Sequence, residues 1–237
     1  MIIDVITTFP GIVTPPLNES IIKRAVKSGI VEIRIHDLRQ WTNDKHQTID
    51  DTPYGGGAGM VYKIEPLYQC LDELTKSSTD QVRILLTSPR GKVLDQSLAT
   101  QVSLDQHIII ICTRYKGVDE RLKEFFPIEE ISIGDFVITG GELAALVIID
   151  SVVRLLPGAI SDIDSAWTDS FSDGLLDCNY YTRPEKFKDS SVPEVLLSGD
   201  HNKINTWRNQ EREAITKKNR PDLYENYIKE IKNKTGD

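Results

Sequence analysis

Three cysteines, four histidines and two methionines in 237 residues leave the chain short of what metal centres and disulfide frameworks need. Cys70, Cys112 and Cys178 are odd in number and far apart, with no CxxC pair and no histidine at ligand spacing. His36, His46, His107 and His201 are equally scattered. No resident metal site is expected, and the three thiols read as reduced and mostly structural. Also missing are a GxGxxG after the first apolar run and a GxxxxGK[ST] anywhere, so neither a Rossmann dinucleotide site nor a P-loop is supported. The longest apolar stretch, Leu143 to Leu156, is interrupted by Asp150 and Arg154 and is too short to cross a bilayer. The opening MIIDVITTFPG carries no basic leader and no small-residue cleavage site, which predicts a cytoplasmic protein without a membrane partner.

An excess of positive charge is lacking as well. Lys and Arg number 28 against 36 Asp and Glu, a net −8. That argues against indiscriminate coating of nucleic acid, because counterion release needs clustered basic residues. The distribution is uneven, however. From His201 to Asp237 there are nine Lys/Arg against six Asp/Glu, leaving nineteen against thirty in the remainder. A tail of net +3 on a body of net −11 suits a local RNA-contacting appendage, and equally a solvated helical surface.

What is present is globular: 39% apolar and 27% charged residues. MIIDVITTF predicts a buried strand, Glu19 to Lys27 a helix closed by Ser28-Gly29, and IVEIRIHD a second strand. Residues Asp37 to Val61 have no period and contain PYGGGAGM, a long loop of the kind kept for function. Ile64, Leu67, Leu71 and Leu74 mark a helix, VRILLTSP a strand, Leu94 to Val102 a helix, HIIIICTR a strand and Val118 to Phe126 a helix. ISIGDFVIT then reads as a strand, followed by Gly140-Gly141 and an apolar helix, Glu142 to Leu156. Strand, loop and helix repeat, which predicts an α/β fold with a parallel sheet and helical crossovers. After Pro157-Gly158 the polar ISDIDSAWTDSF reads as a linker. Asp200 can cap a helix carrying Ile204, Trp207, Ala214 and Ile215, and Pro221 suits the first turn of another carrying Leu223, Tyr227 and Ile231. The expected divisions are 1–159, a linker at 160–175, and a helical tail at 176–237.

In parallel α/β sheets, ligands bind beyond the carboxyl ends of the strands. Three loops there are rich in Gly or Pro: TSPRGK from Thr87, CTRYKGVDER from Cys112 and SIGDFVITGGE from Ser132. Such residues let backbone amides approach a ligand, so a shared pocket is expected. The Gly55 to Gly59 run could cradle a phosphate, yet it does not sit between a strand and a helix. Taken alone it reads as a mobile loop.

The segments PYGGGAGM, LLTSPRGKVLDQ, RYKGVDER, SIGDFVITGGEL, IDSVVRLLPG, DSFSDGLLDCNYYTRP and VPEVLLSGDH run from the first strand's neighbourhood to the tail. In this order and spacing, the chain resembles the bacterial tRNA (guanine-37, N1)-methyltransferase family of the SPOUT superfamily, up to about Arg220. The resemblance implies a parallel α/β domain ending in a trefoil knot, a flexible linker, and a small all-helical domain that contacts tRNA. It also implies a homodimer with active sites at the subunit interface. The implied cofactor is S-adenosylmethionine, with Mg2+ an optional ion. Thr87, Ser88, Pro89 and Gly91 would hold it on one side and Thr113, Tyr115 and Gly117 on another. Ser132, Ile133, Gly134, Phe136, Val137, Ile138, Gly140 and Gly141 would surround its adenine and ribose. Asp50, Gly59, Arg114 and Lys116 would face the RNA.

Two residues match the family's catalytic pair. Guanine N1 carries a proton and is a poor nucleophile, so methylation there needs a general base, for which Asp169 is the match. Arg154 matches the residue that stabilises charge spreading to O6. Read without the family, Asp169 is a solvated or capping linker residue, and Arg154 snorkels from its helix or pairs with Asp150. The chain also departs from the pattern. Where the family reads Gly-Arg-Tyr-Glu-Gly, this sequence has Thr113, Arg114, Tyr115, Lys116 and Gly117, and Ala58 and Ala144 replace prolines. Lys116 reverses a charge expected near the guanine and any Mg2+; a carboxylate suits the donor edge of guanine and an ammonium does not. That keeps open a related SPOUT methyltransferase with a different RNA target. A catalytically silent RNA-binding homologue is the other alternative, against which the presence of both Arg154 and Asp169 argues.

Overall fold

The computed structural model describes residues 1–160 and 169–235, in two compact units, Met1–Ser161 and Asp162–Asp237. In the first unit, strand β1 (Ile2–Thr7) is followed by helices α1 (Pro10–Leu17) and α2 (Ser20–Lys27) and strand β2 (Glu32–Asp37). A short pair, β3 (Asp50–Asp51) and β4 (Val61–Tyr62), brackets the glycine-rich segment and leads into α3 (Ile64–Lys76). Then come β5 (Val82–Val93), α4 (Gln96–Val102), β6 (His107–Ile111), α5 (Leu122–Phe125), β7 (Ile128–Ser132) and α6 (Glu142–Val153). Five strands form one sheet in the order β2-β1-β6-β5-β7, with every pair parallel.

Burial explains the order. The β6 strand, HIIII, is buried along its whole length, which is what β-branched side chains on both faces of a central parallel strand require. On one face Ile108 and Ile110 pack with Val13, Ala25, Leu98 and Ile148 from the helices; on the other Ile109 and Ile111 pack with Leu67, Leu71 and Leu122. A buried polar link joins three strands of the sheet. Buried Asp4 on β1 lies 2.7 Å from His36 Nε2 on β2 and 2.6 Å from His107 Nε2 on β6. Burial works to raise the Asp4 pKa, but the two histidine bonds outweigh it and hold the carboxyl below its usual range.

Several elements differ from expectation. ISIGDFVIT is not one strand: β7 is IEEIS and ends at Ser132, because Gly134 takes a φ of +140° that extended backbone cannot continue through. Val118 to Phe126 is helical only over Leu122–Phe125, since Val118 instead bridges to Tyr62. The helix expected from Leu94 begins at Gln96, where the Asp95 side chain caps the Leu98 amide, and the apolar helix after Gly141 stops at Val153 rather than Leu156. Helix α1 was not expected. Pro10 fits its first turn, and Val13 and Leu17, four residues apart, are its buried face.

The second unit contains helices Glu194–Leu197, His201–Asn219 and Pro221–Thr235. Asp200 caps the second through the Lys203 amide and Pro221 opens the third, as the sequence predicts. It also carries a two-residue antiparallel ribbon, Lys186–Phe187 with Ser190–Ser191, which an all-helical tail omits. Of the expected linker at 160–175, residues 161–168 lie outside the described residues, and those from Asp169 belong to the second unit.

Candidate functional site

Beyond the carboxyl ends of β5, β6 and β7, three stretches of chain converge on an open cleft enclosing about 570 Å³, mouth included. Thr87 ends the regular ladder of β5 and Ser88 and Pro89 begin an excursion within it, while Thr113, Arg114 and Tyr115 come from the turn after β6. Residues Ile131 to Gly134 and Phe136 to Gly141 follow from β7, with Ala144 in the first turn of α6.

The excursion in β5 has a definite origin. Thr87 and Lys92 both pair with Ile131, so residues 88–91 leave the ladder and the chain rejoins it at the same partner residue. Gly91 lies so close to the Glu130 and Ile131 backbone that a Cβ has no room. Glu130, on β7, anchors the excursion: its carboxylate accepts from Ser88 Oγ, Lys123 Nζ and, at 3.1 Å, Arg90 Nη2. Burial raises its pKa, but these donors outweigh it and the carboxyl sits below its usual range.

The loops are also stitched to one another. Gly141 N donates to Thr113 O at 2.7 Å, Thr113 Oγ1 donates to Thr87 O at 2.6 Å, and Thr113 N donates to Thr87 Oγ1 at 3.2 Å. A Cβ on Gly141 would collide with Thr87 Oγ1 and stand 2.7 Å from Thr113 N. Only glycine fits there. The cleft is thus a hydrogen-bonded backbone seam faced by Ile133, Phe136 and Ile138, whose side chains offer apolar faces to a planar ring.

Every residue assigned to the cofactor lines this cleft except Gly91 and Gly117. Gly91 shapes the β5 excursion, and Gly117, at φ +105°, turns the chain so that its carbonyl accepts from Tyr62 N at 2.9 Å. Arg114, assigned to the RNA, lines the cleft too. Sequence reasoning missed Ile131 and Thr139, which neighbour assigned residues, Ala144 in the first turn of α6, and Glu142, whose burial has no sequence signal.

Around this seam the RNA-side residues gather at one corner. The Asp50 carboxylate beside the exposed Tyr115 hydroxyl pushes that phenol's pKa up, with burial adding to it. Lys116 N donates to Met60 O at 3.0 Å, and its aliphatic stem lies over Gly59, 3.1 Å from where a Cβ would be. Lys116 also lines a second hollow with Asp51, Asp119 and Arg121. Arg154 is half-buried at the end of α6, where its amide donates to Asp150 O at 3.2 Å. Asp169 is half-buried in the second unit, its carbonyl accepting from Ser172 N at 3.3 Å. Cys70 and Cys112 are buried thiols whose pKa burial pushes up, so neither is a nucleophile. Among the described residues no group of three or more His, Cys, Asp or Glu could hold a metal ion, and no helix is long and apolar enough to cross a membrane.

Residues 1–226 match the family model described as tRNA (Guanine-1)-methyltransferase TrmD. A tRNA (guanine-N(1)-)-methyltransferase of Geobacter metallireducens is 50% identical over 225 residues, 95% of this chain and 91% of the relative. One of Anoxybacillus flavithermus is 50% identical over 227 residues, 96% and 93% of the two chains. Another, of Dehalococcoides mccartyi, is 48% identical over 225 residues, 95% and 91%.

Proposed function

The chain belongs to the tRNA (guanine-1)-methyltransferase family, and from that membership we propose that it transfers a methyl group from S-adenosylmethionine to N1 of guanosine 37 in tRNA, beside the anticodon. The observation that carries the reading is the convergence of the Thr87, Thr113 and Ser132 loops on one cleft. When bound, the cofactor supplies an electrophilic methyl group on its sulfonium. The protein's residues do the rest. Ile133, Phe136 and Ile138 would hold the adenine between apolar faces, and main-chain groups of the glycine-rich loops would meet its edge. Asp169 accepts the N1 proton, a step for which a positioned base contributes about 10²–10⁴-fold. Arg154 stabilises the charge that spreads to O6 as the proton leaves.

The finer architecture follows the same reading. The trefoil knot is supported by the double pairing at Ile131 and by the Gly141 to Thr113 bond, which bring segments far apart in sequence into one seam. The homodimer is supported by α6, where Leu143 and Val147, four residues apart, expose 54% and 47% of their surface. The second unit serves as the tRNA-contacting domain, and the protein works in the cytoplasm. Lys116, an ammonium where the family carries a carboxylate, favours a phosphate over the guanine edge or Mg2+. It is also the observation that keeps a related methyltransferase with another RNA target in view.

If active sites are shared, Asp169 of one chain works at the cleft of the other. Asp169→Ala and Gly141→Trp should each be nearly inactive, and co-refolded mixtures should recover activity well above either parent, because each heterodimer has one intact site. Verified heterodimers that stay inactive would place Asp169 at its own chain's cleft or outside the reaction.

A further inference from the structure

Arg114 is the one charged side chain among the described residues that line the cleft. Its guanidinium is pressed into the wall at Gly140, where an added Cβ would stand 2.8 Å from Nε and 2.9 Å from Cζ. On another side it stacks over Phe9, with Cζ 4.1 Å from the ring centroid. Behind it lies Glu142, only 1% exposed, at the first position of α6. Glu142 Oε1 accepts from Thr7 Oγ1 at 3.0 Å and from Arg114 Nε at 3.3 Å. Oε2 is 3.2 Å from Arg114 Nη2, an ion-pair contact without hydrogen-bond geometry, and has no hydrogen-bond partner among the described residues.

A carboxylate this deeply buried is costly, and such pairs are weak sources of stability compared with apolar packing. The helix N-terminus favours its charge, and the Arg114 guanidinium, itself mostly buried, is its counter-ion. The position of Glu142 has one consequence for a ligand: it cancels the only charge on the cleft wall. That matters because the two ligands of a methyl transfer differ by one unit. S-adenosylmethionine carries a sulfonium and is net cationic, whereas its demethylated product, S-adenosylhomocysteine, is net neutral.

We propose that Glu142 is a positioning and charge-balancing residue that holds Arg114 in the cleft wall and neutralises it, so that the cleft accepts the cationic methyl donor as well as its neutral product. The inference rests on the cofactor reading above. Without Glu142 the cleft wall is net positive and repels the donor selectively; without Arg114 it is net negative and attracts the donor selectively.

Titration calorimetry with both ligands tests this on the full-length protein. Glu142→Gln, nearly isosteric, should weaken S-adenosylmethionine relative to S-adenosylhomocysteine by roughly tenfold, the scale of one unbalanced charge at short range in a half-buried site. Arg114→Gln should shift the same ratio by a similar factor in the opposite direction. The double variant should return the ratio to near the wild-type value, whatever its absolute affinity. Loss of packing alone moves both ligands together and leaves the ratio unchanged. An unmoved ratio in the single variants, or shifts of the same sign, overturns the inference while leaving the cofactor reading intact. Failure of the wild-type protein to bind either ligand removes that reading and this inference with it.

Discussion

In the first unit β6 is buried along its length and two apolar clusters sandwich the sheet; in the second, the nineteen-residue helix His201–Asn219 buries only Thr216. The first is organised by burial. The second is held by polar anchors: Thr216 Oγ1 accepts from Leu176 N at 2.9 Å, and Arg212 Nη1 donates to Asp173 at 2.9 Å. A helix polar on most faces gains little from its own core, and it leaves basic side chains free for a charged partner. Packing of this kind fixes side chains precisely in the first unit, whereas the second presents mainly polar surface, as the proposed tRNA contact requires.

Equivalent chemistry placed in the two units should therefore differ in size. The largest effect is expected for Asp4→Asn, which replaces a buried carboxylate joined to His36 and His107. It should destabilise the first unit by about 2–3 kcal/mol at neutral pH, as loss of a hydrogen bond to a buried charged group does, measured by urea denaturation. Because the folded Asp4 pKa is lowered, its contribution is present above the ordinary value of about 3.9 and is lost as pH falls through the lowered one. Wild type and variant should converge in acid.

A smaller effect is expected from the second unit's surface. The double variant Lys218→Gln/Lys229→Gln removes two exposed charges. If both meet phosphates, tRNA binding should weaken by about tenfold, roughly 1.4 kcal/mol, and the slope of log K against log salt should fall by about 1.5–2. An unchanged slope would make these lysines a solvated surface. Smallest of all should be Asp173→Asn. Burial raises this carboxyl's pKa, but the Arg212 pair and the Leu175 amide outweigh it and hold it low. Half of the Asp173 side chain is in water, so solvent screening limits the loss to about 0.5–1 kcal/mol. This contribution too is present above the ordinary Asp value and fades as pH falls through the lowered one. A cost for Asp173→Asn equal to that for Asp4→Asn would break the comparison.

The same contrast explains what could be read in advance. Buried strands announced themselves as apolar β-branched runs such as HIIII, and the helix after Asp200 by its capping side chain. Tertiary demands were less legible. In ISIGDFVIT the apolar alternation continues past Ser132, yet Gly134 turns the chain over the cleft and those side chains face the ligand space instead of the sheet. Helix α1 carries Pro15 and Pro16 within its span, and its formation depends on Val13 and Leu17 packing into the core. The cleft residues were found by resemblance to whole motifs, since no single Gly or Thr among them is distinctive. Glu142 lay inside one of those motifs, but a buried carboxylate and an exposed one look alike in sequence.

The central claim, that the seam at the carboxyl ends of β5, β6 and β7 serves methyl transfer to guanine N1, is tested most directly by product analysis. Unmodified tRNA would be incubated with methyl-labelled S-adenosylmethionine and the intact protein, then digested to nucleosides. The account predicts that the label elutes as 1-methylguanosine, disappears when guanosine 37 is replaced, and is lost with Gly141→Trp. Label in a different nucleoside, or transfer that survives Gly141→Trp, would contradict it.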